Sequence, residues 1–128
     1  MVLDVIQDTL TAEGWRVYRS GDVPTSPEYP YLLLYSLQPV AVRSMARPEA
    51  ARRYRFGATV VDLGSQHIDA DADQVEALLE GSRVLHPASR IEWAARGPLT
   101  RAAELTEAGQ EVHTLPIHFT ATIPKEPT

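Results

Sequence analysis

Glu28-Tyr29-Pro30-Tyr31-Leu32-Leu33-Leu34-Tyr35-Ser36 is the stretch on which the reading of the fold turns. Pro30 fixes its own φ and biases Tyr29 toward extended geometry, so the chain is held straight where an apolar, aromatic run begins. Tyr31, Leu33 and Tyr35 project to one side and Leu32 and Leu34 to the other. Both sides are apolar, which predicts a central strand with both faces covered, in the middle of the core.

Upstream, Val2 to Glu13 places Val2, Val5, Ile6 and Leu10 at helical spacing, with Gly14 where a C-terminal cap belongs. Trp15, Val17 and Tyr18 predict a brief strand, followed by a loop crowded with Gly21, Asp22, Pro24, Ser26 and Pro27. Downstream, Pro39 is expected to break the strand near Gln38, with Val40 to Ser44 as a second strand before a basic, Ala- and Arg-rich segment. Tyr54 to Leu63 is β-rich, with Tyr54, Phe56, Ala58 and Val60 on one face and Val61 and Leu63 on the other. Ile68, Ala72, Val75, Leu78 and Leu79 form the stripe of a second helix stopping near Gly81 or Ser82. Ile91, Trp93 and Ala95 alternate with polar neighbours as a strand with one wet face. Thr100 to Thr106 can pair back, and Val112 to Ile123 closes the chain with Leu115, Ile117, Phe119, Ala121 and Ile123 inward. The order predicts an α+β fold, an antiparallel-rich mixed β-sheet with two helices packed on it. Residues 1–123 are expected to form a single domain and 124–128 a flexible tail.

At 128 residues the chain suffices for one core. Hydrophobic residues at 44% and charged residues at 23% are ordinary for a globular protein. No apolar run approaches the roughly 20 residues of a membrane span. Met1 to Leu10 carries Asp4 and Asp8 and lacks a basic leader pattern, so secretion is not expected. With no cysteine, disulfides and thiolate metal sites are excluded, in keeping with a reducing cytosol. A formal charge of -5 argues against general nucleic-acid adhesion.

The motif scan finds no glycine-rich phosphate loop, nucleophile elbow or zincin-type His-Glu pair. Asp69, Asp71 and Asp73 after His67 imitate the alternation of a calcium loop, but Gln74 stands where its glycine belongs and Glu80 is the acid nearest the closing position. Acid gathered at a helix N-terminus is the reading preferred, because the dipole and free amides there favour negative charge. His113 and His118 differ by an odd number of positions and so point to opposite faces of one strand. His86, beside Pro87, reads as a loop residue. No catalytic, cofactor or metal residue is expected.

The order of elements resembles that of the tail terminator, or tail completion, proteins of long-tailed (siphovirus-like) bacteriophages. The matching features are the helix ending at Gly14, the loop Gly21 to Pro30, the strand Tyr31 to Ser36, the strand Tyr54 to Leu63 and the closing strand Leu115 to Ile123. The resemblance covers Val2 to Ile123. It implies a structural protein without catalysis, a homohexameric ring that caps the tail tube, stops its polymerisation and joins the tail to the head. Its partners would be itself, the tail tube protein, a head-completion or neck protein, and DNA passing through the lumen without sequence-specific binding. It would reside in the tail or neck of the virion after assembly in the host cytoplasm. Two other readings stand beside it: a head-completion or neck connector of the same virion, and a small-ligand binding domain built around Trp15, Tyr31 and Tyr35. An acid-dependent hydrolase is a third.

Arg43, Arg47, Arg52, Arg53 and Arg55 gather positive charge in an otherwise acidic chain. A solvated loop is the plain account of such a run. In a ring, these arginines could instead pair across the subunit seam with Asp69, Asp71 or Asp73, or line the lumen and touch DNA phosphates. The seam is favoured, since a ring of arginines would grip DNA by counterion release where a conduit must let it slide.

Overall fold

The computed structural model describes residues 2–42, 51–102, 105–106 and 108–124. Arg43, Arg47 and residues 125–128 of the expected tail lie outside them; Pro124, also expected in that tail, is instead the last residue of the closing strand. Helix α1 (Val2–Ala12) ends as Gly14 predicts. Its φ of 95° lets its N–H donate to the Thr11 carbonyl at 3.0 Å while Trp15 N–H reaches the Leu10 carbonyl at 3.2 Å. This paired closure reverses the chain into β1 (Val17–Arg19). Strand β1 lies parallel to β2 (Tyr31–Val42), which runs antiparallel to β3 (Ala51–Leu63). After α2 (Ile68–Leu79) come β4 (Glu92–Arg96), β5 (Thr100–Arg101) and β6 (Val112–Pro124). The sheet order is β1-β2-β3-β6-β4, with β5 also on β6. The fold is α+β, with a mostly antiparallel six-stranded sheet and two helices.

Both helices cover one face. Ile6 and Leu10 of α1 and Ile68, Ala72, Val75 and Leu79 of α2 close over Leu32, Leu34, Phe56, Ala58, Val60, Leu115, Ile117, Phe119 and Ala121. Phe56 and Phe119 stack across β3 and β6 with ring centroids 5.3 Å apart. Helix α2 stops at Glu80, and Gly81 follows with φ 79°. No helix among the described residues is long and apolar enough to cross a membrane.

The structure corrects several expectations. Pro39 does not end its strand. The register steps from Leu37↔Arg55 to Val40↔Arg53, so Gln38 and Pro39 both stand against Tyr54 and the missing N–H is absorbed in a bulge. The most enclosed strand is β3, between β2 and β6, whereas β2 is flanked by β1 only along Leu32 to Leu34. Leu33, with Tyr31 and Tyr35, is half-buried on the helix-free face. Aromatic rings shelter one another there: Tyr31 meets Tyr18 at 5.4 Å and Tyr29 at 5.6 Å. Burial, reinforced by those two neighbours, raises the Tyr31 phenol above its ordinary pKa. In β4 the register slips between Trp93 and Ala95, so Arg96 takes the helix-bearing face and the expected alternation fails. Strand β5 spans only two of the residues expected to pair back.

Candidate assembly surface

Strands β2, β3 and β6 stay paired out to Val42, Ala51 and Pro124, a tongue on which Arg52, Arg53 and Arg55 are exposed. Period-two geometry puts Arg53 and Arg55 on the helix-free face with Gly57, and Arg52 on the other with Phe56. None of the three has an ion-pair partner among the described residues.

The acids expected to answer them sit elsewhere. Asp71 lies in the first turn of α2 beside Asp62, near the end of β3. Arg55 and Asp62 are separated along that strand by roughly 23 Å at 3.3 Å per residue. Asp71 is occupied locally. Burial, together with the hydrogen bond and like charge of Asp62, pushes its carboxyl up to about 6 against a smaller opposing effect of His67. Its Oδ2 is buried without a hydrogen-bond partner among the described residues. Asp73 accepts from Arg96 at 2.7 Å, and the same guanidinium engages both carboxylate oxygens of Glu76. These bonds, Glu76 first, raise the Arg96 pKa and tie β4 to α2. Asp69 alone of the three is exposed without an ion pair among the described residues. Their carboxylates therefore diverge, and no group of three or more His, Asp or Glu among the described residues is placed to hold a metal. His113 and His118 stand opposite Asp62 and Gly57, on opposite faces.

Two clefts bear on binding. Because β1 stops at Arg19 while β2 continues, the sheet has a notch of about 770 Å³. It is floored by Leu34, Tyr35 and Ser36 and walled by Leu3 and Gln7 of α1 and by Tyr18, Arg19 and Asp22. Arg19 is neutralised there by Asp4 at 2.9 Å. A smaller cleft of about 300 Å³ holds Trp15, Arg16, Asp71 and Gln74. Trp15 and Tyr35 thus line different clefts.

The sequence did not single out Trp93 for exposure or Gly57 for its close neighbour. Trp93 is 45% exposed although it stands opposite buried Phe119, because β4 is an edge strand, and alternation reports a residue's face but not its nearness to an edge. Gly57 lies under the Tyr35 ring, whose hydroxyl bonds Thr59 at 3.0 Å and whose face meets His118 edge-on at 6.4 Å. A glycine within an apolar strand pattern is the signal for such an approach.

No protein-family model and no curated protein matches the chain. Solved structures do. One chain, whose name states no role, is 19% identical with a TM-score of 0.60, over 98% of this chain and 97% of its own. Another is a chain from the virion of a native gene transfer agent particle, 16% identical with a TM-score of 0.60, over 94% of this chain and 85% of its own. The fold is therefore one that a virion protein also has.

Proposed function

We propose that this protein is the tail terminator of a phage-like particle: a homohexameric ring that caps the tail tube, halts its polymerisation and joins the tail to the head or neck. The observation that carries the reading is the likeness of its fold, across 94% of the chain, to a chain from a gene transfer agent virion. The order of elements that resembles tail terminators, from the helix closed at Gly14 to the long closing strand, supports the finer assignment. The role is structural and not enzymatic. Its partners are copies of itself, the tube protein on one side and the neck protein on the other, with DNA passing through unread. The arginines of the tongue belong at the seam between subunits, where they do not hold the passing genome.

Deleting the gene from the producing strain and imaging particles by electron microscopy tests this. Tubes longer than those of the parent are expected. Tubes of normal length that fail to join heads would replace the reading by that of a neck connector, and unchanged particles would overturn both.

A further inference from the structure

Among the described residues the sheet has two unpartnered edges, and its register relates them. On the helix-bearing face, Trp93 stands opposite Phe119, Phe119 opposite Phe56, and Phe56 opposite Ser36. One row therefore runs from an exposed indole at one edge to Ser36, on the floor of the notch, at the other. A rotation that repeats the sheet at the same level brings Trp93 of one copy against Ser36 of the next. Faces are preserved when a sheet continues head to tail, so the indole arrives on the side where Leu34, Leu3 and Gln7 line the cleft. The backbone is prepared as well. Leu32 N–H points toward β1, donating to the Arg16 carbonyl at 2.8 Å, and by the period of two so do the N–H and C=O of Ser36. They lie beyond the end of β1 at Arg19.

The adjacent row supplies the charge. Glu92 stands opposite Thr120, Thr120 opposite Arg55, and Arg55 opposite Leu37, all on the helix-free face. In the repeated sheet the neighbour's Glu92 falls beside Leu37, two strand spacings or about 10 Å from Arg55, within the combined reach of the two side chains. Neither has an ion-pair partner among the described residues.

We propose that this surface takes a second copy of the chain: the Glu92–Trp93 end of strand β4 of one subunit extends the sheet of the next beyond the end of β1, with Trp93 seated in the notch and Glu92 facing Arg55. The contact is heterologous, so repetition runs on past a dimer, and it closes a ring where the rotation per subunit divides the full turn. It uses strand addition for register and a buried tryptophan as anchor. The proposal rests on the self-assembly in the function above and adds the surface by which it occurs.

Sedimentation velocity over a concentration series tests it with Trp93→Glu, which removes the anchor, and Ser36→Arg, which fills the notch. Both positions are solvent-accessible, so far-UV circular dichroism should be unchanged, and Trp93→Gln replaces the first variant if glutamate disturbs the fold. Each variant alone is expected to be monomeric, with self-association weakened about 30-fold or more. Mixed one to one, they retain one intact anchor and one intact notch between them, so dimers and nothing larger should form. Combining Glu92→Arg with Arg55→Glu should restore association that either change alone weakens. Variants that assemble like the wild type, or a mixture that stays monomeric, would overturn the seam while leaving the ring reading intact. A wild type that is monomeric at every concentration would overturn both.

Discussion

Gly57→Ala is expected to cost the fold about 2 kcal/mol, and the structure shows where that cost arises. An added Cβ would lie 2.6 Å from the Tyr35 hydroxyl oxygen and closer still to the ring carbons Cε2 and Cζ. The ring must then swing away. It would give up its hydrogen bond to Thr59, worth about 1 kcal/mol net, and its edge contact with His118, worth about 0.5 to 1 kcal/mol. Residual crowding on β3 adds about 1 kcal/mol. The lower entropy of the unfolded alanine chain offsets roughly 0.5 kcal/mol. Urea unfolding of Gly57→Ala, Tyr35→Ala and the double variant measures the coupling. Tyr35→Ala removes the obstacle, so the double variant should be no less stable than Tyr35→Ala alone, a non-additivity of about 1.5 kcal/mol or more. Additivity within about 0.5 kcal/mol, or a Gly57→Ala cost below that figure, would refute the reasoning.

Phe119→Ala should cost about 3 to 5 kcal/mol in a chemical melt, because the ring is fully buried and stacked on Phe56. Leu33→Ala should cost markedly less, about 1 to 2 kcal/mol, since the side chain is only half-buried; equal losses would mean that something covers the helix-free face. Asp71 has a folded pKa of about 6 against an ordinary 3.8, so the native state holds this proton more tightly than the unfolded chain does. Its contribution is present below pH 3.8 and is lost as pH rises through 6. Asp71→Asn should therefore match the wild type near pH 4 and exceed it by about 1 kcal/mol at pH 7.5, less than full linkage because the group is partly solvated. A pH-independent difference in melts would show that burial and the Asp62 neighbour do not hold the Asp71 proton.

Much of the architecture is legible in residue order because local and long-range preferences coincide. Gly14 and Gly81 mark helix ends that the structure keeps, and the alternation from Leu115 to Ala121 places the right side chains inward. Two of the misreadings share a cause. At Pro39 and around Ala94 the strand survives by inserting a residue, and a bulge reverses the phase of everything after it without changing composition. Tyr31, Leu33 and Tyr35 looked like core because apolar character reports a preference for shelter, not what supplies it. Here other aromatic rings supply part of it. For the candidate surface, the exposed arginines were visible as charge, but Asp71 and Asp73 were bound to Asp62 and Arg96, partners on other elements that only the folded chain brings beside them. The significance of Trp93 depends on the register of four strands.

The tongue makes the molecule mechanically uneven. Along β3, Phe56, Ala58 and Val60 are sealed beneath the helices and Gly57 beneath the Tyr35 ring, whereas Arg52, Arg53 and Arg55 are exposed and held, among the described residues, by ladder bonds. One strand therefore spans two levels of local opening energy, with its firm half anchored in the core and its soft half free to breathe. Such a graded strand can bend at its outer end without loosening the packing at its inner end. Whatever seats against the outer end would meet a surface that adjusts to it, while the packed inner end keeps its shape.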